Sequence, residues 1–223
     1  MRDDSGGMGA VLLAATAALA ASLYLVGLAL DDFWLKLLAK PWPVAALALA
    51  VWRRAGSGAG RLIAWGLLAG AVGDVCLALP RAFLPGMIAF AAGHALYVAA
   101  FLQWNRARAV VLALPVAIYA ATGLWLMLPG AGALAVPLVV YVIVIAAMIW
   151  RAAACALEPR ENAFLRWGPL AGALLFGLSD TLIGVHRFTH PLPGAAFAII
   201  LTYWAGQALI AASALIRRGR TAE

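Results

Sequence analysis

Two aspartates, Asp74 and Asp180, lie inside long apolar runs, whereas the other seven Asp and Glu residues fall at the termini or in polar connections. An ionisable side chain within such a run is costly to hold in lipid and marks a functional site by default. The positions also match. Each acid precedes an arginine by seven residues, Arg81 and Arg187 respectively, which predicts that each sits about 10 Å inside its helix end. Two carboxyls at one depth can share a proton and so supply an acid and a base at neutral pH. That pair suits acid-catalysed cleavage through an oxocarbenium-like state, or activation of water. A transporter could use the same acids as a proton relay, and residue chemistry alone does not separate the two.

The elements that carry these acids follow from composition. The chain has 223 residues, 66% hydrophobic and only 11% charged, with a mean hydropathy of +0.98. Soluble domains are nearer 45–50% apolar and about 25% charged, so a soluble globular enzyme, a disordered chain and a disulfide scaffold are excluded. At about 20 residues per crossing, the apolar runs predict eight spans near 8–30, 33–52, 61–79, 84–104, 108–128, 133–150, 163–185 and 195–216. The expected architecture is all-α: a polytopic membrane protein with a single transmembrane domain over 1–223. Charges and turn residues punctuate the runs, as in Asp31-Asp32, Arg53-Arg54-Ala55-Gly56-Ser57-Gly58, Pro129-Gly130-Ala131-Gly132 and Glu158-Pro159-Arg160-Glu161. Trp34, Trp42, Trp52, Trp104, Trp150 and Trp167 near span ends fit an interfacial aromatic belt.

Eight alternating spans put twelve Lys and Arg, from Arg2 to Arg220 and including Arg151, on one side and four on the other. By the positive-inside rule both termini are then cytoplasmic, in the inner membrane of the cell. The net charge of +7 reads the same way and not as nucleic-acid binding. Ala18-Leu19-Ala20 resembles a cleavage site. However, Arg2 is offset by Asp3 and Asp4, and the run stays apolar to Leu30, so a retained helix is expected rather than a signal peptide. Cys76 and Cys155 have no metal or disulfide spacing.

Other polar residues are expected at the depth of the acids. Lys40 precedes Pro41 and Pro43, which kink or open a helix. His94 and Tyr97 lie in the fourth run, and Tyr203 and Gln207 lie four apart in the eighth. Small residues, Gly66 and Gly70 before Asp74 and Ala173 and Gly177 before Asp180, allow close helix approach. Leu67–Asp74 with Pro85-Gly86 and Leu174–Asp180 with Pro193-Gly194 form an echo that fits a four-plus-four pseudo-repeat. Each feature also has a plainer reading. The acids could be a structural pair with Lys40 or a histidine, and His94, Tyr97, Tyr203 and Gln207 could be interhelical glue. His186, Arg187 and His190 read most simply as a solvated loop, or else as a contact for a lipid phosphate. Ser179 lacks the Gly-x-Ser-x-Gly context of a nucleophile elbow, and no nucleotide loop or HExxH motif is present.

Five motifs in order, Lys40-Pro41, Gly73-Asp74-Val75-Cys76-Leu77, Phe90–Tyr97, Gly172–Asp180 and Tyr203-Trp204-Ala205-Gly206-Gln207, resemble those of the lysoplasmalogenase family, the YhhN-like multispan membrane proteins. The likeness runs from about residue 20 to 216. It implies an eight-helix fold and hydrolysis of the vinyl ether bond of a lysophospholipid substrate, a lysoplasmalogen, to a fatty aldehyde and a glycerophospho-base. It implies no metal and no organic cofactor. In that setting Asp74 and Asp180 would divide the acid and base roles. Lys40, His94, Tyr97, Ser179, Tyr203 and Gln207 would contact the substrate, orient water or let the lipid approach. A proton-coupled lipid or small-molecule transporter is the runner-up reading.

Overall fold

A computed structural model of the protein describes residues 4–56, 58–158 and 162–219. Arg2, Asp3, Ser57, Pro159, Arg160, Glu161 and Arg220, named above, lie outside the described residues. Among the described residues all regular structure is helical: α1 (Asp4–Ala29), α2 (Phe33–Ala39), α3 (Trp42–Arg54), α4 (Ala59–Ala78), α5 (Phe83–Trp104), α6 (Val110–Ala131), α7 (Ala135–Ala156), α8 (Ala163–Phe188) and α9 (Ala195–Gly219). Seven helical stretches are long and apolar enough to cross a membrane. One of them, 110–156, has 47 residues and comprises α6 and α7, which are joined by a single 3₁₀ turn and pack on each other.

Several boundaries differ from the expectation, for local reasons. The second apolar run forms two helices because Pro41 interrupts the backbone ladder directly after Lys40. The α6–α7 connection falls at Gly132, not at Pro129-Gly130. Gly132 adopts φ +52°, which glycine tolerates, and helix α6 runs through Pro129 to Ala131. Helix α7 extends to Ala156, so Arg151 is not a loop residue. It is buried and donates to the Ala107 and Asn105 carbonyls, closing the α5–α6 connection. Trp150 likewise donates to the Ala109 carbonyl at 3.0 Å and ties α7 to the same connection.

Lipid tails give apolar helices little reason to associate, so close backbone packing has to supply the cohesion. The hairpins α4–α5 and α8–α9 do this in the same way. A Cβ on Gly93 would lie 2.9 Å from the Gly66 carbonyl, and one on Gly172 would lie 2.8 Å from the Gly206 carbonyl. The core between the hairpins is built on Phe90, Tyr97, Phe101, Phe176 and Tyr203, with α7 packed along α5 and α8. Helix α1 is mostly exposed. Tyr24 ties it to α9 through an edge contact with Trp204, 5.5 Å between centroids.

A Gly66→Ala substitution would bring its methyl to 2.3 Å from the buried Tyr97 ring. It is expected to destabilise the fold by about 1–3 kcal/mol, outweighing the roughly 1 kcal/mol that alanine gains over glycine in a helix. Gly9→Ala in α1, where a methyl meets nothing within 4 Å, is expected to leave the Tm in detergent unchanged or raised. Equal Tm values for the two variants would contradict the close-packing account.

Candidate active site

The first half of the site assembles on α4. Gly66, Gly70 and Gly73 line the face that leads to Asp74. A Cβ on Gly70 would lie 2.8 Å from the Gln207 amide nitrogen and 3.0 Å from the Tyr203 hydroxyl, and one on Gly73 would lie 2.7 Å from the Phe90 ring. The missing side chains therefore admit residues from α5 and α9 beside the acid. Asp74 is 1% exposed, and its Oδ1 lies 3.2 Å from Lys40 Nζ, itself 14% exposed. The break at Pro41 places that lysine, because it ends α2 at the level of Asp74. The Tyr203 hydroxyl adjoins the same carboxyl without the alignment of a full hydrogen bond. Tyr97 donates to Gln207 Oε1 at 2.6 Å, fully buried.

The second half surrounds Asp180 on α8. The Tyr141 hydroxyl donates to Asp180 Oδ2 at 2.6 Å, and His94 Nε2 lies 3.4 Å from the same oxygen. The His94 ring is fully buried, and neither of its nitrogens makes a hydrogen bond of normal geometry. It packs edge-on against Tyr141 and Phe176, with centroids 5.5 and 4.5 Å away. Tyr141 went unnoticed in the sequence. Its signal was present all the same, since it is the only hydrogen-bonding side chain between Ala133 and Ile149.

The halves meet at a triangle of rings. Phe90, Phe176 and Tyr203 make mutual edge contacts at 5.2–6.0 Å, which link Tyr203, beside Asp74, to Phe176, on which the His94 that faces Asp180 packs. Their register in the two hairpins is the same. Asp74 follows the packing glycine Gly66 by eight residues, and Asp180 follows Gly172 by eight. His94 comes directly after Gly93, and Gln207 directly after Gly206. The partners are exchanged between hairpins: His94 of α5 faces Asp180 of α8, while Tyr203 of α9 faces Asp74 of α4.

Asp180 also lines a narrow cavity of about 50 Å³ bounded by α5, α6, α7 and α8 and by Leu77 of α4. Its walls are mostly apolar, with Met87, Phe90, Met127 and Val142 among them, and Tyr119, Tyr141, Asp180 and Thr181 are its polar lining residues. Asp74 is not on this wall. Nor does Ser179 reach the cluster. Its hydroxyl donates to the Ile199 carbonyl at 3.0 Å and ties α8 to α9. The distances to the helix ends differ from the expected 10 Å as well. Helix α4 ends four residues after Asp74, where the chain turns through Arg81 at φ +64°. Helix α8 continues eight residues past Asp180. At 1.5 Å per residue the acids lie about 6 and 12 Å from their helix ends. Among the described residues no three His, Cys, Asp or Glu side chains converge as a metal ligand set would.

Removing one member of a buried ion pair strands the other charge. Lys40→Met is therefore expected to cost about 3–5 kcal/mol of stability, and adding Asp74→Asn to recover most of it. Thermal unfolding in detergent reads both. A double variant no more stable than Lys40→Met would contradict the pairing.

A model of the YhhN family matches residues 35–214. The protein named lysoplasmalogenase TMEM86B of Homo sapiens is 38% identical over 187 residues, covering 82% of this chain and 76% of its own. The protein of that name from Mus musculus is 32% identical over 206 residues, covering 90% and 85%. A lysoplasmalogenase of Mycobacterium tuberculosis is 32% identical over 157 residues, covering 66% and 57%. No solved structure matches. With four-fifths of its length inside the family match and these relatives beside it, the chain belongs to the YhhN family.

Proposed function

We propose that this protein is an integral, multi-pass membrane hydrolase that cleaves the vinyl ether bond of lysoplasmalogens to a fatty aldehyde and a glycerophospho-base. The observation that carries this reading is a buried acid, Asp180, on the wall of a mostly apolar cavity, with a second acid, Asp74, joined to it through one triangle of packed rings. The names of the relatives give the substrate class.

The roles follow from the neighbours. Asp74 has the Lys40 ammonium beside it, so it is the acid held ionised. Asp180 has only a phenol and an imidazole beside it, with no lysine or arginine within ion-pair distance among the described residues, so it is the acid assigned the proton. Asp180 gives that proton to the vinyl carbon remote from the ether oxygen, which generates an oxocarbenium ion. The negative charge of Asp74 stabilises that cation through space. Water adds to the cationic carbon and returns a proton to Asp180, which restores the acid. The resulting hemiacetal collapses to aldehyde and glycerol hydroxyl. The balance is one vinyl ether plus one water to one aldehyde plus one alcohol. Tyr141 fixes the Asp180 carboxyl, His94 faces the same oxygen, and Tyr97, Gln207 and Tyr203 brace the Asp74 side.

In this reading α6 and α7 each cross the membrane, which makes eight crossings in a single domain. The arginine-rich connections and both termini are then cytoplasmic, and the cavity faces the outer leaflet of the cell membrane.

Purified protein in neutral detergent is expected to release aldehyde from lysoplasmenylethanolamine. Asp180→Asn and Asp74→Asn, folded by Tm and gel filtration, are each expected to lose about 10²-fold or more. No aldehyde from monodisperse wild type would overturn the hydrolase reading.

A further inference from the structure

Phe83, on the wall of the cavity that Asp180 lines, carries on its ring a cation, Arg187, that the reaction itself does not use. Arg187 follows Asp180 by seven residues and Gly184 by three. At 3.6 residues per turn these three share one face of α8, and Arg187 lies about 10.5 Å further out. Gly184 presents no side chain between them, and a Cβ there would lie 2.3 Å from the Met127 sulfur. The Arg187 guanidinium sits over the Phe83 ring, 5.1 Å from its centroid. Phe83 and Phe188 both line the cavity and meet edge-on at 5.9 Å. Arg187 is exposed, and among the described residues no carboxylate lies within ion-pair distance of it. It is therefore a cation held over the aromatic face of a cavity-lining residue, with no anion beside it among the described residues.

The spacing suits one ligand chemistry. In a lysoplasmalogen a few single bonds separate the ether oxygen from the phosphorus, roughly 6 Å when extended. Helical side chains lean toward the helix N-terminus, which brings the guanidinium inward from its own Cα toward Asp180. Arginine binds phosphate oxygens through charge-assisted, often bidentate hydrogen bonds.

We infer that Arg187 binds the phosphate of the substrate headgroup beside Phe83 and so sets the vinyl ether against Asp180. This makes Arg187 a specificity-determining residue, and it rests on the hydrolase reading above. The test compares two substrates with the same alkenyl chain, lysoplasmenylethanolamine and the phosphate-free 1-O-alkenylglycerol, in a neutral detergent with full-length protein. Arg187→Gln is expected to raise KM for the phospholipid by about tenfold or more with kcat little changed. It is expected to leave the alkenylglycerol kinetics at the wild-type values, and Arg187→Lys is expected to restore part of the loss. Excess inorganic phosphate is expected to raise KM for the phospholipid in wild type and not in Arg187→Gln. Equal losses on both substrates would make Arg187 a brace for Phe83 and overturn the inference, as would no change on either. If wild type releases aldehyde from the alkenylglycerol alone, the headgroup assignment fails while the hydrolase reading stands. Release from neither removes both.

Discussion

A carboxyl group in the middle of an apolar helix bundle needs compensation, and here it takes two different forms. Asp74 has a cation, Lys40, brought to it by a helix that breaks at Pro41. Asp180 has no lysine or arginine within ion-pair range among the described residues, and relies on Tyr141 and His94. Much of the packing serves these two arrangements. The glycine face of α4 makes room for Tyr97, Tyr203, Gln207 and Phe90 beside Asp74. The Gly66–Gly93 and Gly172–Gly206 approaches draw the two hairpins tight enough to bury His94 and Gln207 completely.

The asymmetry matters for the proposed chemistry. Two equivalent acids would each hold a proton half the time. A cation beside one of them separates their tasks, the general way in which paired carboxylates become an acid and a stabilising charge. It also separates their access, since only Asp180 borders the cavity. Exchanging partners between the hairpins couples the halves. His94 on α5 depends on the position of α8, and Tyr203 on α9 depends on α4, so neither acid is assembled until all four helices have packed.

Much of this could be read from the residues, and the parts that could not have physical reasons. Asp74 and Asp180 stood out because charge within an apolar run is expensive, and Lys40 because two prolines follow it. Tyr97, Tyr203 and Gln207 were visible as polar breaks in helical runs. Tyr141 was equally visible but has an apolar body, so it passes for an ordinary membrane residue until its hydroxyl is seen on Asp180. Ser179, next to an acid in sequence, points along a different side of α8 and bonds to the Ile199 carbonyl, because adjacent residues on a helix lie about 100° apart. The depth of the acids depended on where each helix ends. Seven residues to an arginine marks an equal distance from the helix end only if both helices continue to it, and α4 instead ends in a turn. Arg151 lies inside α7 instead of starting a connection, because its bonds go to backbone carbonyls of the distant Asn105–Ala107 segment, which the sequence does not display.

The central claim is that Asp74 and Asp180 act as one unit, and a double-substitution cycle on aldehyde release tests it most directly. Residues that act together lose their shared contribution once, so the rate of Asp74→Asn/Asp180→Asn should match that of the worse single variant. If instead the two losses multiply, the acids work independently and the coupled mechanism is wrong.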